Sequence, residues 1–202
     1  MSDSTRSGGG PSGIALPLLV IAALLVVVGL VLPSGQAAED GKQARHRLVV
    51  ARAAIGAPVR LVVPSVGIDA PVVPIETSTD GVLAPPADVD TVGWWQRSAE
   101  PGARTGQVLV TGHSVHDGDG AMDEMGGVEA GDQVRLRRGG KTALYRTTTV
   151  AVYSKEKVAE QARQLFGQDH GRGRLVLVTC TDWNGEDYES NIIVFAEPVR
   201  RR

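Results

Sequence analysis

Hydrophobic and polar positions divide this chain into two unlike parts. From Ile14 to Leu32 no charged residue interrupts an apolar run, and a run above about 18 residues is long enough for a membrane-spanning helix, whereas signal-peptide cores are shorter. From Pro58 onward the apolar positions come in short β-branched clusters separated by Gly, Pro and Asp. Leu61 to Pro64, Val72-Val73, Val108 to Thr111, Val134 to Leu136, Ala143 to Val152, Leu175 to Thr179 and Ile192 to Ala196 each read as a strand. That density of short strands predicts a mainly β domain, a sandwich or a closed barrel. One segment departs from it: Val158, Ala159, Ala162, Leu165 and Phe166 recur at helical spacing, predicting a helix from about Lys155 to Phe166 with Gly167 at its end.

Composition adds organisation. The chain has 202 residues; once the first fifty or so are set aside, the remainder suits a single domain. Residues 1–13 are rich in Ser and Gly and read as a disordered tail, 14–32 as a transmembrane anchor, 33–57 as a linker and 58–202 as the folded domain. A cleaved signal peptide is the competing reading of the apolar run, with Gly35-Gln36-Ala37 as the small-residue cleavage site. The formal net charge of -2 leaves no global basic surface, which argues against nucleic-acid binding.

Candidate chemistry begins with the single cysteine. Cys180 ends the run Leu175-Val176-Leu177-Val178-Thr179 and meets a polar loop, Thr181-Asp182-Trp183-Asn184-Gly185. It has no partner for an internal disulfide, so it is either a small buried hydrophobe or a reactive thiol. His113 occupies the matching place after Val108-Leu109-Val110-Thr111-Gly112. If the two strands share a sheet, the pair is a nucleophile with its proton partner. His116 is the second histidine of that loop. Asp117, Asp119 and Asp123 lie beside it, but their spacing completes no EF-hand, and acidic Gly-rich loops are mostly solvated turns, so no metal is expected. Asp182 either orients His113 or caps its own turn, the turn role being the commoner. Trp94 and Trp95 cannot both face the core if they lie in a strand.

Several segments together carry a family resemblance. Thr111-Gly112-His113, Leu177-Val178-Thr179-Cys180-Thr181-Asp182 and Arg60 to Val72 resemble the sortases. Val92-Gly93-Trp94-Trp95, Glu100-Pro101-Gly102, Gly131-Asp132-Gln133-Val134 and Tyr188 to Val194 resemble their actinobacterial class F branch. The resemblance spans Pro58 to Pro198. It implies an eight-stranded β-barrel with short peripheral helices, and a membrane-anchored cysteine transpeptidase of Gram-positive cells. Such an enzyme cuts an LPXTG-like sorting motif through a Cys thioester and joins the new carboxyl end to an amine, usually of a cell-wall precursor. Its implied partners are sorting-motif-bearing surface proteins and that amine. Cys180 and His113 take the catalytic positions, Trp95 and Thr179 are the candidates for holding the peptide, and no cofactor is implied.

The resemblance also bears on orientation and on a departure. Lys42, Arg45 and Arg47 follow the apolar run, which by the positive-inside rule would put that side in the cytoplasm; the resemblance implies the reverse, with an anchored catalytic domain outside the cell. The family completes its site with an arginine on the strand after the cysteine strand. Here Asn191 stands at that position, and no Arg or Lys lies between Cys180 and Arg200. Asn191 replaces it as an uncharged oxyanion donor, or Arg97 reaches in, or the protein is inactive; the first reading is preferred, because an oxyanion needs a donor more than a formal charge. A cysteine hydrolase on the same scaffold and a non-catalytic membrane-tethered binding module remain the alternatives.

Overall fold

The computed structural model describes residues 57–169 and 172–199. The tail at 1–13, the anchor at 14–32 and nearly all of the linker at 33–57 lie outside the described residues.

Eight strands form a closed barrel. They are β1 (Arg60–Val63), β2 (Ile68–Ile75), β3 (Val92–Trp95), β4 (Gln107–Thr111), β5 (Gln133–Arg138), β6 (Lys141–Ser154), β7 (Arg174–Trp183) and β8 (Tyr188–Pro198). The order around the barrel is β1-β2-β3-β4-β7-β8-β6-β5, with β5 pairing back to β1. Helix α1 (Lys155–Phe166) follows β6 directly. Closure leaves no exposed edge, as the sequence of many short strands requires of a stable β domain.

Alternation decides what faces inward. Leu175 and Leu177 of β7, Ile192, Val194 and Ala196 of β8, and Val108 and Val110 of β4 fill the interior with Trp94, Tyr145, Leu61 and Leu136. The intervening residues point outward, as a period of two demands. Over β4, β7 and β8 these outward residues are also apolar: Leu109, Val176, Ile193 and Phe195 form a second cluster with Leu165 of α1, and Leu83, Trp95, Val158, Phe166 and Val178 pack against it. This is why Leu175 to Thr179 reads as a continuous apolar run. That wall of the barrel is covered on both faces, by the core inside and by α1 outside.

Helix α1 is held at both ends. Ser154 caps its start, its hydroxyl accepting from the Lys157 N–H at 3.2 Å. At the far end the fully buried Gln107 donates to the Leu165 carbonyl at 3.1 Å, and Arg174 donates both to Gln107 Oε1 at 2.6 Å and to the Leu165 carbonyl at 3.2 Å. Orphan carbonyls of the last turn are thereby satisfied by side chains of the two strands beneath. Every strand and both apolar clusters lie between Ala57 and Val199, so this segment carries its entire core and is a folding unit on its own.

The predicted strands are all present, and the helix has the predicted bounds. The strand β3, at the Trp pair, and the extensions of β2, β7 and β8 go beyond the apolar clusters. In β3 the short apolar run Val92-Gly93-Trp94-Trp95 is drawn into the sheet by pairing with β2, and in β2, β7 and β8 the pairing continues through more polar residues at the strand ends.

Candidate active site

The site is built by two pairings. Strands β4 and β7 are parallel neighbours, with Gln107 opposite Arg174 and Thr111 opposite Val178. His113 follows the end of β4 by two residues and Cys180 follows the last paired residue of β7 by two, so both lie at the same end of this strand pair. On the other flank β7 pairs antiparallel with β8, and there Cys180 lies directly opposite Asn191. Both belong to the outward set of their strands, so the thiol and the amide share the outer face, beside α1. The Asn191 Nδ2 lies 3.8 Å from Cys180 Sγ and donates to the Thr179 carbonyl at 3.2 Å.

An apolar groove of about 620 Å³ runs from this point along the barrel wall. Val82, Leu83 and Pro85 from the β2–β3 loop form one side. Val158, Ala159, Ala162 and Phe166 of α1 form the other, and Leu109 and Val178 the floor. Lys155, Thr179, Cys180 and Asn191 close one end.

Cys180 is half-buried, and burial pushes its thiol above the ordinary range; Lys155 draws it back down and Asp187 pushes it further up. Lys155, the first residue of α1, is held by Asp187 at 2.7 Å. It is the cation of this site, and the sequence reading missed it. Lys155 lies 25 residues before the cysteine and follows a different strand. Only the pairing of Tyr153 with Asn191, and of Asn191 with Cys180, reveals that it arrives here. Arg97 does not reach the groove: it is largely exposed and pairs with Glu76 at 3.3 Å.

His113 is half-buried, with its Nε2 at 2.7 Å from the Pro86 carbonyl. A carbonyl only accepts, so Nε2 is the donor in this contact. The loop that follows is fastened from within. Asp123 accepts from the Val115 N–H at 2.6 Å and from the Gly120 N–H at 2.7 Å, and the His113 carbonyl accepts from the Met122 N–H at 3.0 Å. Ser114 joins it to the cysteine strand through Thr179, whose hydroxyl lies 2.9 Å from that of Ser114 and donates to the Gly112 carbonyl at 2.9 Å. Gly112 is required at its position, since a Cβ there would press into Val92 and Met122.

The remaining sequence candidates fall as follows. Trp94 faces the barrel interior, fully buried. Trp95 faces outward but is covered: it packs into the second apolar cluster with Leu83 and Phe166 and does not line the groove. Thr179 is buried, its hydroxyl spent on the loop contacts above. His116 is largely exposed and stacks on Trp183, with ring centroids 5.1 Å apart. Asp182 is exposed with a φ of 61° in the β7–β8 hairpin, away from any contact with His113 among the described hydrogen bonds. Asp123 spends both carboxylate oxygens on backbone amides, which accounts for the acidic character of the loop without a cation.

A closed barrel that carries one thiol at the end of an apolar groove, with an imidazole on the loop that leaves the neighbouring parallel strand, has the parts of a cysteine-nucleophile enzyme. A sortase domain model matches residues 61–199, and the chain belongs to the sortase family, whose members are cysteine transpeptidases. Among solved structures, sortase C-1 from Actinomyces oris is 21% identical, with 72% of this chain and 74% of that chain covered and a TM-score of 0.56. A lid mutant of sortase A from Corynebacterium diphtheriae is 23% identical, with 72% of each chain covered and a TM-score of 0.57. Sortase C1 from Streptococcus suis is 15% identical over 85% of this chain and 89% of that one, again with a TM-score of 0.57. At these identities the likeness is one of fold. No curated protein matches the chain.

Proposed function

We propose that this protein is a membrane-anchored sortase of the actinobacterial class F branch, which cleaves an LPXTG-like sorting motif and transfers the carboxyl end to an amine of the cell wall. In this reading residues 1–13 are a cytoplasmic tail, 14–32 a single-pass anchor, 33–57 a linker and 58–202 an extracellular catalytic domain. The observation that carries it is the placement of Cys180 opposite Asn191 at the end of an apolar groove, with His113 on the loop that leaves the neighbouring strand β4. An extended peptide with apolar side chains fits that groove.

The Cys180 sulfur attacks the threonine carbonyl of the motif as its thiol proton passes to His113. Asn191 Nδ2, already turned toward the sulfur, donates to the oxyanion that forms. His113 delivers a proton to the departing amine, the C–N bond breaks, and a thioester remains on Cys180. The acceptor amine then attacks the thioester and gives its proton to His113, and the new amide leaves as the thiol is restored. Lys155 supplies positive charge beside the sulfur, where the family has an arginine. A raised thiol pKa means that only a minor thiolate fraction exists at neutral pH, so positive charge near the sulfur raises the reactive population.

A second reading is favoured by Asn191 at the arginine position and by the bond that holds His113 to Pro86: a tethered module that binds the peptide without cutting it. With water as the acceptor, a hydrolase would use the same residues. The test is the segment from Ala54 onward, incubated with a fluorogenic LPXTG-type peptide and an amine and followed by mass spectrometry. The expected result is an acyl adduct on Cys180 and a peptide–amine product, both absent in Cys180→Ala, with turnover reduced on the order of a hundredfold in Asn191→Ala. Peptide acid alone would make it a hydrolase. Peptide binding without any adduct, across a panel of motif variants, would make it the binding module.

A further inference from the structure

A second cleft lies at the other end of the barrel. It measures about 610 Å³ and is lined by Arg104, Arg135 and Arg172 together with Gln133, Thr142 and Tyr145. Arg104 precedes β4 and Arg172 precedes β7, so the cleft lies where those two parallel strands begin, whereas His113 and Cys180 lie where they end. Six residues of extended β7 separate Arg174 from Cys180, which is about 20 Å. The cleft is therefore separate from the peptide groove.

The three guanidinium groups come from three distant segments, and the fold fixes their meeting. Tyr145, fully buried, accepts from the Gly102 N–H at 2.8 Å and ties the Arg104 loop to β6. Gly173, at a φ of 62°, lies so close to the Ala103 carbonyl that a Cβ would overlap it, which locks the Arg172 segment onto the same loop. Arg135 projects from the outer face of β5 and donates to Gln133 at 3.3 Å.

The charge balance of the cleft is one-sided. Arg60, Arg97 and Arg138 each pair with a carboxylate, Asp69, Glu76 and Glu100 respectively. Among the described residues Arg104, Arg135 and Arg172 have no such partner, and no acidic residue lines their cleft. Three exposed cations around one cleft that no acidic residue lines make it a favourable place for an anion. The planar forks of arginine match the paired oxygens of phosphate.

We infer that the Arg104–Arg135–Arg172 cleft is a binding site for a phosphate-bearing ligand, a free phosphorylated molecule or the headgroup of an anionic lipid. The inference does not depend on the chemistry at Cys180. Its test uses the full chain held in phosphatidylcholine nanodiscs. Calorimetric titration with inorganic pyrophosphate reads the free ligand. Exchange of part of the lipid for phosphatidylglycerol, followed by amide hydrogen exchange along β5 and the Arg104 loop, reads the headgroup.

The expected result is saturable pyrophosphate binding that weakens with salt and falls at least about tenfold in Arg104→Gln/Arg135→Gln/Arg172→Gln. Arg97→Gln, which removes one charge outside the cleft, leaves it unchanged. Protection that appears only with phosphatidylglycerol, and is lost in the triple variant, assigns the lipid source. The proposal is overturned if neither arm gives a signal, or if the triple variant matches the wild type. All three arginines project from the surface of the barrel, and an unchanged thermal midpoint shows that the triple variant is folded. Peptide cleavage by that variant stays at the wild-type rate, so failure of the cleft leaves the reading of Cys180 standing.

Discussion

At the level of single residues, the reactive centre depends on what surrounds one sulfur. Burial raises the Cys180 thiol, and Lys155 is the group that opposes the rise. Replacing Lys155 with Met removes that opposition, so the thiolate fraction at neutral pH falls; alkylation of Cys180 by iodoacetamide at pH 7 is expected to slow about threefold. The pH profile of alkylation shifts upward in the same variant, and an unshifted profile would remove Lys155 from the site's electrostatics. Cys180 and His113 were singled out because each follows an apolar strand, and Asn191 because it stands where the resemblance implies an arginine. Lys155 was not: nothing local separates it from Lys157, which pairs with Glu160 on the exposed side of the same helix. Trp95 shows the opposite difficulty. Alternation showed that it faces away from Trp94, but it could not show that a second apolar layer waits outside the barrel.

At the level of elements, the histidine segment is a loop made rigid by its own acidic residue. Asp123 satisfies two backbone donors across five residues, a task the neighbouring exposed Asp117 and Asp119 do not share. Asp123→Ala leaves the Val115 and Gly120 amides without their acceptor. The expected cost is about 2 kcal/mol in urea denaturation, accompanied by faster hydrogen exchange at those two amides. A loss of stability without faster exchange at those amides would mean that Asp123 supports the fold elsewhere. The sequence reading took these carboxylates for a solvated turn and not a metal site, but it did not show which of them would cap the loop's own backbone. The helix, in contrast, was legible from its helical spacing and the glycine that ends it, and the Ser154 cap seen in the structure agrees with them.

For the molecule as a whole, stability resides inside the barrel. Leu177 is fully buried on the inner face of β7, between strands that both contribute to the site. Leu177→Ala is expected to cost about 2–5 kcal/mol by chemical denaturation. Val152, exposed on β6, should accept Thr within about 0.5 kcal/mol, and similar costs for the two would contradict the assignment of faces. Many short strands restricted the domain to a sandwich or a barrel, and the resemblance favoured the barrel. The strand order was not written in any segment, because which strand neighbours which is decided by closure and not by local pattern.

The pairing of β4 with β7 also bears on how the protein matures. Sixty-odd residues separate the two strands, and the imidazole and the thiol meet only after the intervening hairpin and helix have taken their places. Such non-local contacts form late and slowly in β proteins. A newly made chain therefore carries an unassisted thiol until its barrel closes, and catalytic competence should emerge together with the last cooperative step of folding.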